Sequence, residues 1–395
     1  MGVSIPSGLC TDVDLWAGDA LENPMPIYKQ LRDAGPVIWL SKVSSWGVFR
    51  FDAVREVLSN PAIFSSGKGV MLNDFMNKAT SEAGVILCSD DPRHRSLRRV
   101  FARPLTPAAV SKLRPRLAEM MAAHVDRLFE RKSFDAIKDL AQFLPLTVVK
   151  ELVGLTSEGK DNMLVWAAGA FDAFGPDTSP RTHAGAKLAA EMLNYILTVR
   201  REDLDPDGWG AAVFLAADAG EISHDDARSL LSDYLTPALD TTIIGLGGAI
   251  RLFAENPDQW SLLRNNPSLI PGAIDEAIRL QSPIRAFGRQ LTEDYCLGGV
   301  ELRASDRVHV FYASANRDER HYPEPDRFLI ERRAKDHVGF GYGHHLCAGM
   351  NLAKLEIEVA LRALLSKVER ISINECVLSP HNTLNVIEKL NVTVS

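Results

Sequence analysis

Apolar residues recur at helical period through the middle of the chain. "TPAAVSKLRPRLAEMMAAHVDRLFERK" opens on Thr106-Pro107, a capping hydroxyl followed by proline in the first turn, and then repeats apolar positions three and four apart. "SFDAIKDLAQFLPLTVVKELVGL" continues in the same style. β-like runs appear near the start, in "PVIWL" and "SWGVFRF", and again in "VHVFYA". The pattern predicts a mainly α fold with a minor β region, an α+β arrangement. No internal repeat, low-complexity tract or Gly/Ser linker divides it, so one domain is expected over residues 1–395.

One predicted helix is unusually long. Ser223 and Asp226 form a box-like start, and apolar residues continue until Pro257 ends helical geometry. About 32 residues at ~1.5 Å each would make a rod on the order of 48 Å, long enough to cross the molecule. Pro237 sits inside it, before Ala238-Leu239-Asp240-Thr241-Thr242. Proline removes one backbone hydrogen bond and clashes with the carbonyl four residues back, here Asp233, at a cost of about 3 kcal/mol. A continuous helix with a built-in distortion is the expectation.

Composition narrows the class. Hydrophobic residues are 46% and charged residues 24% of 395, ordinary for a globular enzyme able to enclose a cofactor. A net charge of −7 argues against a nucleic-acid partner. The five cysteines, Cys10, Cys88, Cys296, Cys347 and Cys376, are scattered and form no CxxC pair. That speaks against a disulfide framework or structural zinc and for a reducing compartment. Arg251 breaks the longest apolar run, "TTIIGLGGAIRLFA"; "MGVSIPSGLC" lacks signal-peptide regions, and Pro6 spoils a myristoylation pattern. A soluble, cytoplasmic protein is expected.

The candidate chemistry centres on "DHVGFGYGHHLCAGM". A buried structural cysteine needs no such surroundings. Phe340, Gly343, His345, Cys347 and Gly349 spell FGxGxHxCxG, which resembles the cysteine-ligand loop of the cytochrome P450 monooxygenases, the haem-thiolate enzymes. The resemblance implies the P450 fold, with a long central helix crossing over the haem, haem b as cofactor and Cys347 as ligand of the haem iron. A donating thiolate has to stay deprotonated, accept backbone N–H bonds and be shielded from water. Gly343 and Gly349 permit tight turns near the porphyrin, and Phe340 would pack as an apolar shield. His345, by the resemblance, meets a haem propionate; His344 is read as a surface residue without a role.

Three further stretches carry the same resemblance. Glu276 and Arg279 in "DEAIRLQSP" match the family's ExxR ion pair, with Arg327 in "HYPEPDRF" as third partner. "DDPRHRSLRRVF" resembles the propionate-binding helix through His94 and Arg98, and Arg289 in "IRAFGRQ" matches the remaining propionate arginine. On the residues alone, His94 and Arg98 could equally be an exposed basic face. Arg93, Arg95 and Arg99 suit a docking face for an acidic electron donor. "PALDTT" resembles the oxygen-activating segment: Thr241 would hydrogen-bond the carbonyl of Pro237, and Asp240 would relay protons for cleavage of O2. The alternative is a buried salt-bridge partner beside an ordinary helical threonine. Pro237-Ala238 departs from the family's usual pair of small residues, so the kink should be permanent.

Substrate-facing candidates are Lys68 in the loop at residues 67–75, Phe171 and Phe174 in "AFDAFGP", Asp233 and Thr236 before the notch, and Ile284, Arg285 and Phe287. "GVxLxDF", "FxAFGP" and "LDTT" resemble the bacterial-type subgroup that hydroxylates or O-demethylates small aromatic acids. A slot of Phe171, Phe174 and Phe287 would hold an aromatic ring, though core packing explains the same residues equally well. Lys68 or Arg285 could pair with a carboxylate, whereas Asp233 would favour a phenol or amine. With no reductase-like domain or flavin-binding glycine motif after the haem region, the resemblance implies a separate ferredoxin and ferredoxin reductase. The competing readings are a ligand-binding or sensor haem protein without monooxygenation, and a monooxygenase of a terpenoid-like substrate.

Overall fold

Helices dominate the computed structural model, which describes residues 7–154 and 162–395. The expectations placed on residues 1–6 and on Leu155 lie outside the described residues. The three β-like runs become the strands Val37–Leu40, Ser45–Val48 and Arg307–Val310. They sit side by side in a six-stranded sheet, completed by Cys10–Thr11 at one edge and by Phe287–Leu291 and Phe64–Ser65 at the other. Val48 registers with both Val37 and Val310, so branched apolar side chains meet across three strands.

Two predicted helices are subdivided. Thr106 caps Pro107–Ser111 by accepting from Ala109 N–H at 3.3 Å, but a new helix, Arg114–Arg131, follows with Pro115 in its first turn, which cannot donate to a preceding turn. Ser133–Asp135 is a strand rather than the start of a helix, paired with Val386–Val394 of the C-terminal hairpin. The Asp135 carboxylate accepts from Ile137 N–H at 2.9 Å and so starts a π-helical turn over Ala136–Ala141, followed by the helix Phe143–Val153.

The long rod is interrupted. Ser223 and Asp226 form the expected reciprocal cap, but the helix His224–Leu235 stops, and a second, Asp240–Glu255, begins after four residues. Pro237 supplies no N–H to the Asp233 carbonyl, and the ladder resumes only where Ile243 N–H reaches Leu239 O at 3.1 Å. Asp240–Glu255 is buried along most of its length and packs on Ile270–Gln281 and Met350–Leu365. A Cβ on Gly247 would meet Ile137 Cδ1 at 2.3 Å, so a glycine is what lets this helix lie so close to the π-helical turn.

The ExxR pair is completely buried. Arg279 clasps Glu276 through Nε at 2.7 Å and Nη2 at 2.8 Å, and its Nη1 donates to Asn316 O and Pro325 O. The third partner is Arg332, whose Nε reaches Glu276 Oε1 at 2.9 Å. Arg327 does not fill that role: its side chain is exposed and pairs with Glu324, and only its carbonyl joins the network. Removing one member of a buried pair strands the other charge, at about 3–5 kcal/mol. Arg332→Ala should therefore lower unfolding free energy by ~3 kcal/mol in denaturant titration, whereas Arg327→Ala should change it by less than about 0.5 kcal/mol.

Candidate active site

The loop before Met350–Leu365 folds back on itself. Cys347 N–H donates to Phe340 O at 2.9 Å, and Leu346 N–H to Gly343 O at 3.1 Å. Gly343 has φ +67°, and a Cβ there would stand 2.5 Å from Leu58 O, so no larger residue fits this turn. Gly349 and Met350 N–H groups donate to the Cys347 sulfur. Burial raises the thiol pKa, while those donors and Arg98 pull against it. Cys347 sits among protein atoms yet keeps one accessible face. Phe340 packs its ring against the main core, with Lys354 Nζ 5.4 Å from its centroid.

Beside this loop stands a group of basic side chains, His94, His345, Arg98 and Arg289, with no carboxylate hydrogen-bonded to any of them among the described residues. The helix Arg93–Phe101 brings buried His94 and half-buried Arg98 to one side, and Arg98 Nη2 donates to Leu346 O. The rings of His94 and His345 are 4.4 Å apart, and His94 Nδ1, His94 Nε2 and His345 Nε2 are buried with no partner. Arg289 is 4% exposed, donates to Gly288 O at 2.6 Å and meets the Tyr312 hydroxyl, and has no carboxylate within 4 Å among the described residues. Burial first, then neighbouring positive groups, drops His94 to about 4 and His345 to about 2. An exposed basic face is thus not what His94 and Arg98 form. His344 is not a plain surface residue either: its ring lies 3.9 Å from that of His94, and its Nε2 is 3.3 Å from Asp91 Oδ1. Unsatisfied donors beside an open thiol face fit a flat group with a metal centre and two carboxylates, which is the chemistry of haem.

The helix break supplies polar groups of a different kind. Thr241 Oγ1 donates to Pro237 O at 2.7 Å, as expected. Asp240 has no ion pair among the described residues; its Oδ2 is buried without a partner, and burial pushes the carboxyl up to about 7. That removes the salt-bridge alternative. Asp233, one turn before Pro237, accepts from Ile86 N–H at 3.1 Å and is raised to about 7, again by burial. Thr236 Oγ1 turns to Met192 Sδ at 3.5 Å.

Phe171, Phe174 and Phe287 do come together, with centroids 5.7 Å and 6.1 Å apart in sequence, in one apolar cluster with Ile284. Ile244, Leu384 and Val386 complete it and were not anticipated. Ile244 stands one turn after Asp240, a spacing that could have found it, whereas Leu384 comes from the C-terminal hairpin with no local signal. Lys68 does not join: it is exposed, at the outer side of its loop. Arg285 is buried beside Asn385. Arg93 and Arg95 are tied to Asp226 and Asp91 at 2.8 Å and 2.6 Å, leaving Arg99 the exposed member without an ion pair among the described residues.

The fold and this loop define a haem-thiolate enzyme, a monooxygenase whose reaction uses dioxygen. The Cytochrome P450 family model matches residues 28–371. The chain belongs to the cytochrome P450 family, whose cofactor is haem b. It is 38% identical over 386 residues to cytochrome P450 CYP199A2 of Rhodopseudomonas palustris, covering 97% of this chain and 94% of that one. Linalool 8-monooxygenase of Pseudomonas putida is 28% identical, with 94% and 95% covered. Among solved structures, that of CalO2 superposes with a TM-score of 0.85 at 26% identity, covering 98% and 99% of the two chains. No helix among the described residues is long and apolar enough to cross a membrane.

Replacing the sulfur tests the site directly. Cys347→Ala is expected to abolish the thiolate-type absorption band of the reduced carbon monoxide complex. Persistence of that band in the variant would move the ligand elsewhere.

Proposed function

We propose that this monooxygenase holds haem through Cys347, with His94, Arg98, Arg289 and His345 on the propionates, and oxidises a small aromatic substrate by hydroxylation or O-demethylation. The whole chain acts as one domain in this reading. The observation that carries it is the helix break, where a hydroxyl bonded to Pro237 O stands beside a buried carboxyl without a partner. Haem, when bound, supplies the binding and reductive activation of O2. Thr241 commits its hydroxyl proton to Pro237 O, so its lone pairs are free to accept a hydrogen bond from a proton donor and hold that donor in place. Asp240, raised to about 7, takes protons from solvent and gives them up near neutral pH. An intact acid–alcohol pair weighs against a sensor or carrier.

The phenylalanine cluster supports a flat substrate, held by stacking and edge contacts. Likeness to a linalool monooxygenase keeps a terpenoid as the competing substrate class. Electrons come from a separate ferredoxin and its reductase in this reading. With Arg93 and Arg95 already neutralised, Arg99 is the better candidate for contact with an acidic donor. A panel of aromatic acids, phenols, aryl ethers and linalool, screened for the haem spin-state change and then for product with a surrogate ferredoxin system, tests the substrate class. Product from linalool alone would displace the aromatic reading.

Thr241→Ala should keep NADH consumption but divert electrons to hydrogen peroxide; unchanged coupling of electrons to product removes Thr241 from the relay. Asp240→Asn should slow product formation by about 100-fold. The same substitution gives a signed pH effect. A carboxyl raised in the folded state costs stability as pH climbs from the unfolded value near 4 through about 7, because over that range the unfolded chain releases the proton that the buried group keeps. The variant should therefore gain thermal stability relative to the parent between pH 5 and pH 8, a gain absent if Asp240 is solvated.

A further inference from the structure

His344 has no task in holding haem or in the proton relay, yet its surroundings are specific. It sits in the turn Gly343–His345, shortly before Cys347, with its side chain 25% exposed. Its Nε2 lies 3.3 Å from Asp91 Oδ1, and its ring lies 3.9 Å from that of His94. Asp91 stands just ahead of the helix Arg93–Phe101, its side chain partly open to solvent. Its Oδ2 accepts from Arg95 at 2.6 Å, which leaves Oδ1 to the histidines. His94 Nδ1 lies 3.9 Å from that same Oδ1 and is buried without a hydrogen-bond partner. The His94 residue as a whole is only 2% exposed.

A plain ion pair between His344 and Asp91 accounts for one of these contacts. It leaves His94 Nδ1 stripped of water with nothing in return. Three ligand atoms around a common point account for all of them. Zinc bonds to imidazole nitrogen and carboxylate oxygen are about 2.0–2.2 Å, so neighbouring ligand atoms of a tetrahedral site stand roughly 3.3–3.5 Å apart. The 3.3 Å contact already matches that spacing, and the 3.9 Å contact requires a closure of about half an ångström. One nitrogen from each of His94, His344 and His345 lies within 4.8 Å of the others. Asp91 and His344 reach solvent, giving an ion an entry path and a water for its fourth position. Two imidazoles and one carboxylate suit zinc-type ions better than magnesium or calcium.

We propose that Asp91 Oδ1, His94 Nδ1 and His344 Nε2 bind a divalent zinc-type ion, which ties the start of the helix Arg93–Phe101 to the cysteine loop. An ion on Nδ1 keeps the His94 proton on Nε2, the tautomer that donates to a carboxylate, and a carboxylate–histidine–metal chain strengthens both bonds. His94 thus serves the ion through one nitrogen and a haem carboxylate through the other, while His345 Nε2 stays with haem. Arg98 and Arg289 repel the ion, and the two carboxylates of haem offset that repulsion, so the haem-loaded chain is the form that binds. This last step rests on the reading of these residues as propionate partners.

The test uses the untagged, haem-loaded full chain stripped with EDTA. Zinc chloride is titrated by calorimetry, and zinc per haem is counted by elemental analysis after dialysis. The parent should take up one zinc per chain. His344→Ala and Asp91→Asn should each bind it at least about 10-fold more weakly, a floor set by what loss of even an outer-shell partner costs. All three proteins are compared at equal intensity of the thiolate-type carbon monoxide band, so loss of haem does not mimic loss of zinc. Zinc should also slow haem transfer to excess apomyoglobin by about threefold or more in the parent and not in His344→Ala. Absence of stoichiometric zinc from the parent, parental affinity in His344→Ala, or equal binding of magnesium chloride each overturns the proposal. Haem release from Arg98→Gln without zinc judges the propionate reading separately. Faster release sustains that reading; an unchanged rate removes it and leaves the zinc titration to decide the metal site.

Discussion

The buried clasp between Glu276 and Arg279 fixes the parts that the chemistry needs. Arg279 Nη1 donates to Asn316 O, and the Asn316 side chain takes Val338 N–H at 2.8 Å and gives to Ser282 Oγ at 2.9 Å. Val338 lies just before the turn that carries Phe340 and Cys347. One ion pair in the helix Ile270–Gln281 thus sets the entry to the cysteine loop through two hydrogen bonds. A pair of this kind adds little stability over a well-packed apolar substitute; what it contributes is a single geometry, because every alternative leaves a charge without a partner.

Against that satisfied network, the unsatisfied groups stand out. Glu276 accepts from Arg279, Arg332 and Leu329 N–H, whereas His94, His345, Asp240 and Arg285 each keep a buried polar atom unused. Folding alone would select against such atoms, since each forfeits its hydration without return. Their placement is not random: two histidines and two arginines surround the accessible face of a thiol, one acid adjoins a helix break, and one arginine borders an aromatic cluster. Unpaired atoms also occur elsewhere, at Ser229 Oγ and Trp260 Nε1, so it is the grouping of several of them around the thiol and the helix break that marks the site.

Sequence reading recovered features governed by local rules and lost those set by distant contacts. The capping box at Ser223, the Thr106 cap and the glycine turn at Gly343 follow from a few neighbouring residues, and each is present. The Thr241 bond to Pro237 O follows from i,i+4 geometry. Arg327 and Arg332 lie five apart in the same irregular segment, and no periodicity says which one turns inward. Ser133–Asp135 carries an amphipathic pattern, yet pairing with Val392, some 259 positions away along the chain, makes it a strand. Lys68 follows a loop whose outward side the sequence does not mark.

Pro237 shows why a kink and a break have different consequences. A kinked helix keeps most of its ladder, and opening a notch in it then requires energy from a ligand or from the threonine alone. Here the ladder lapses after Thr236 and resumes at Ile243, and the Pro237 carbonyl, freed from helical geometry, is satisfied by the Thr241 hydroxyl. The side-chain bond replaces a backbone one, so the hydroxyl's lone pairs are directed by the covalent limit that proline places on the chain. Asp240 starts the second helix at the same point, where its carboxyl has no following N–H committed to it and remains free to exchange a proton. Proline therefore builds the arrangement of the Thr241 hydroxyl and the Asp240 carboxyl into the covalent geometry of the chain.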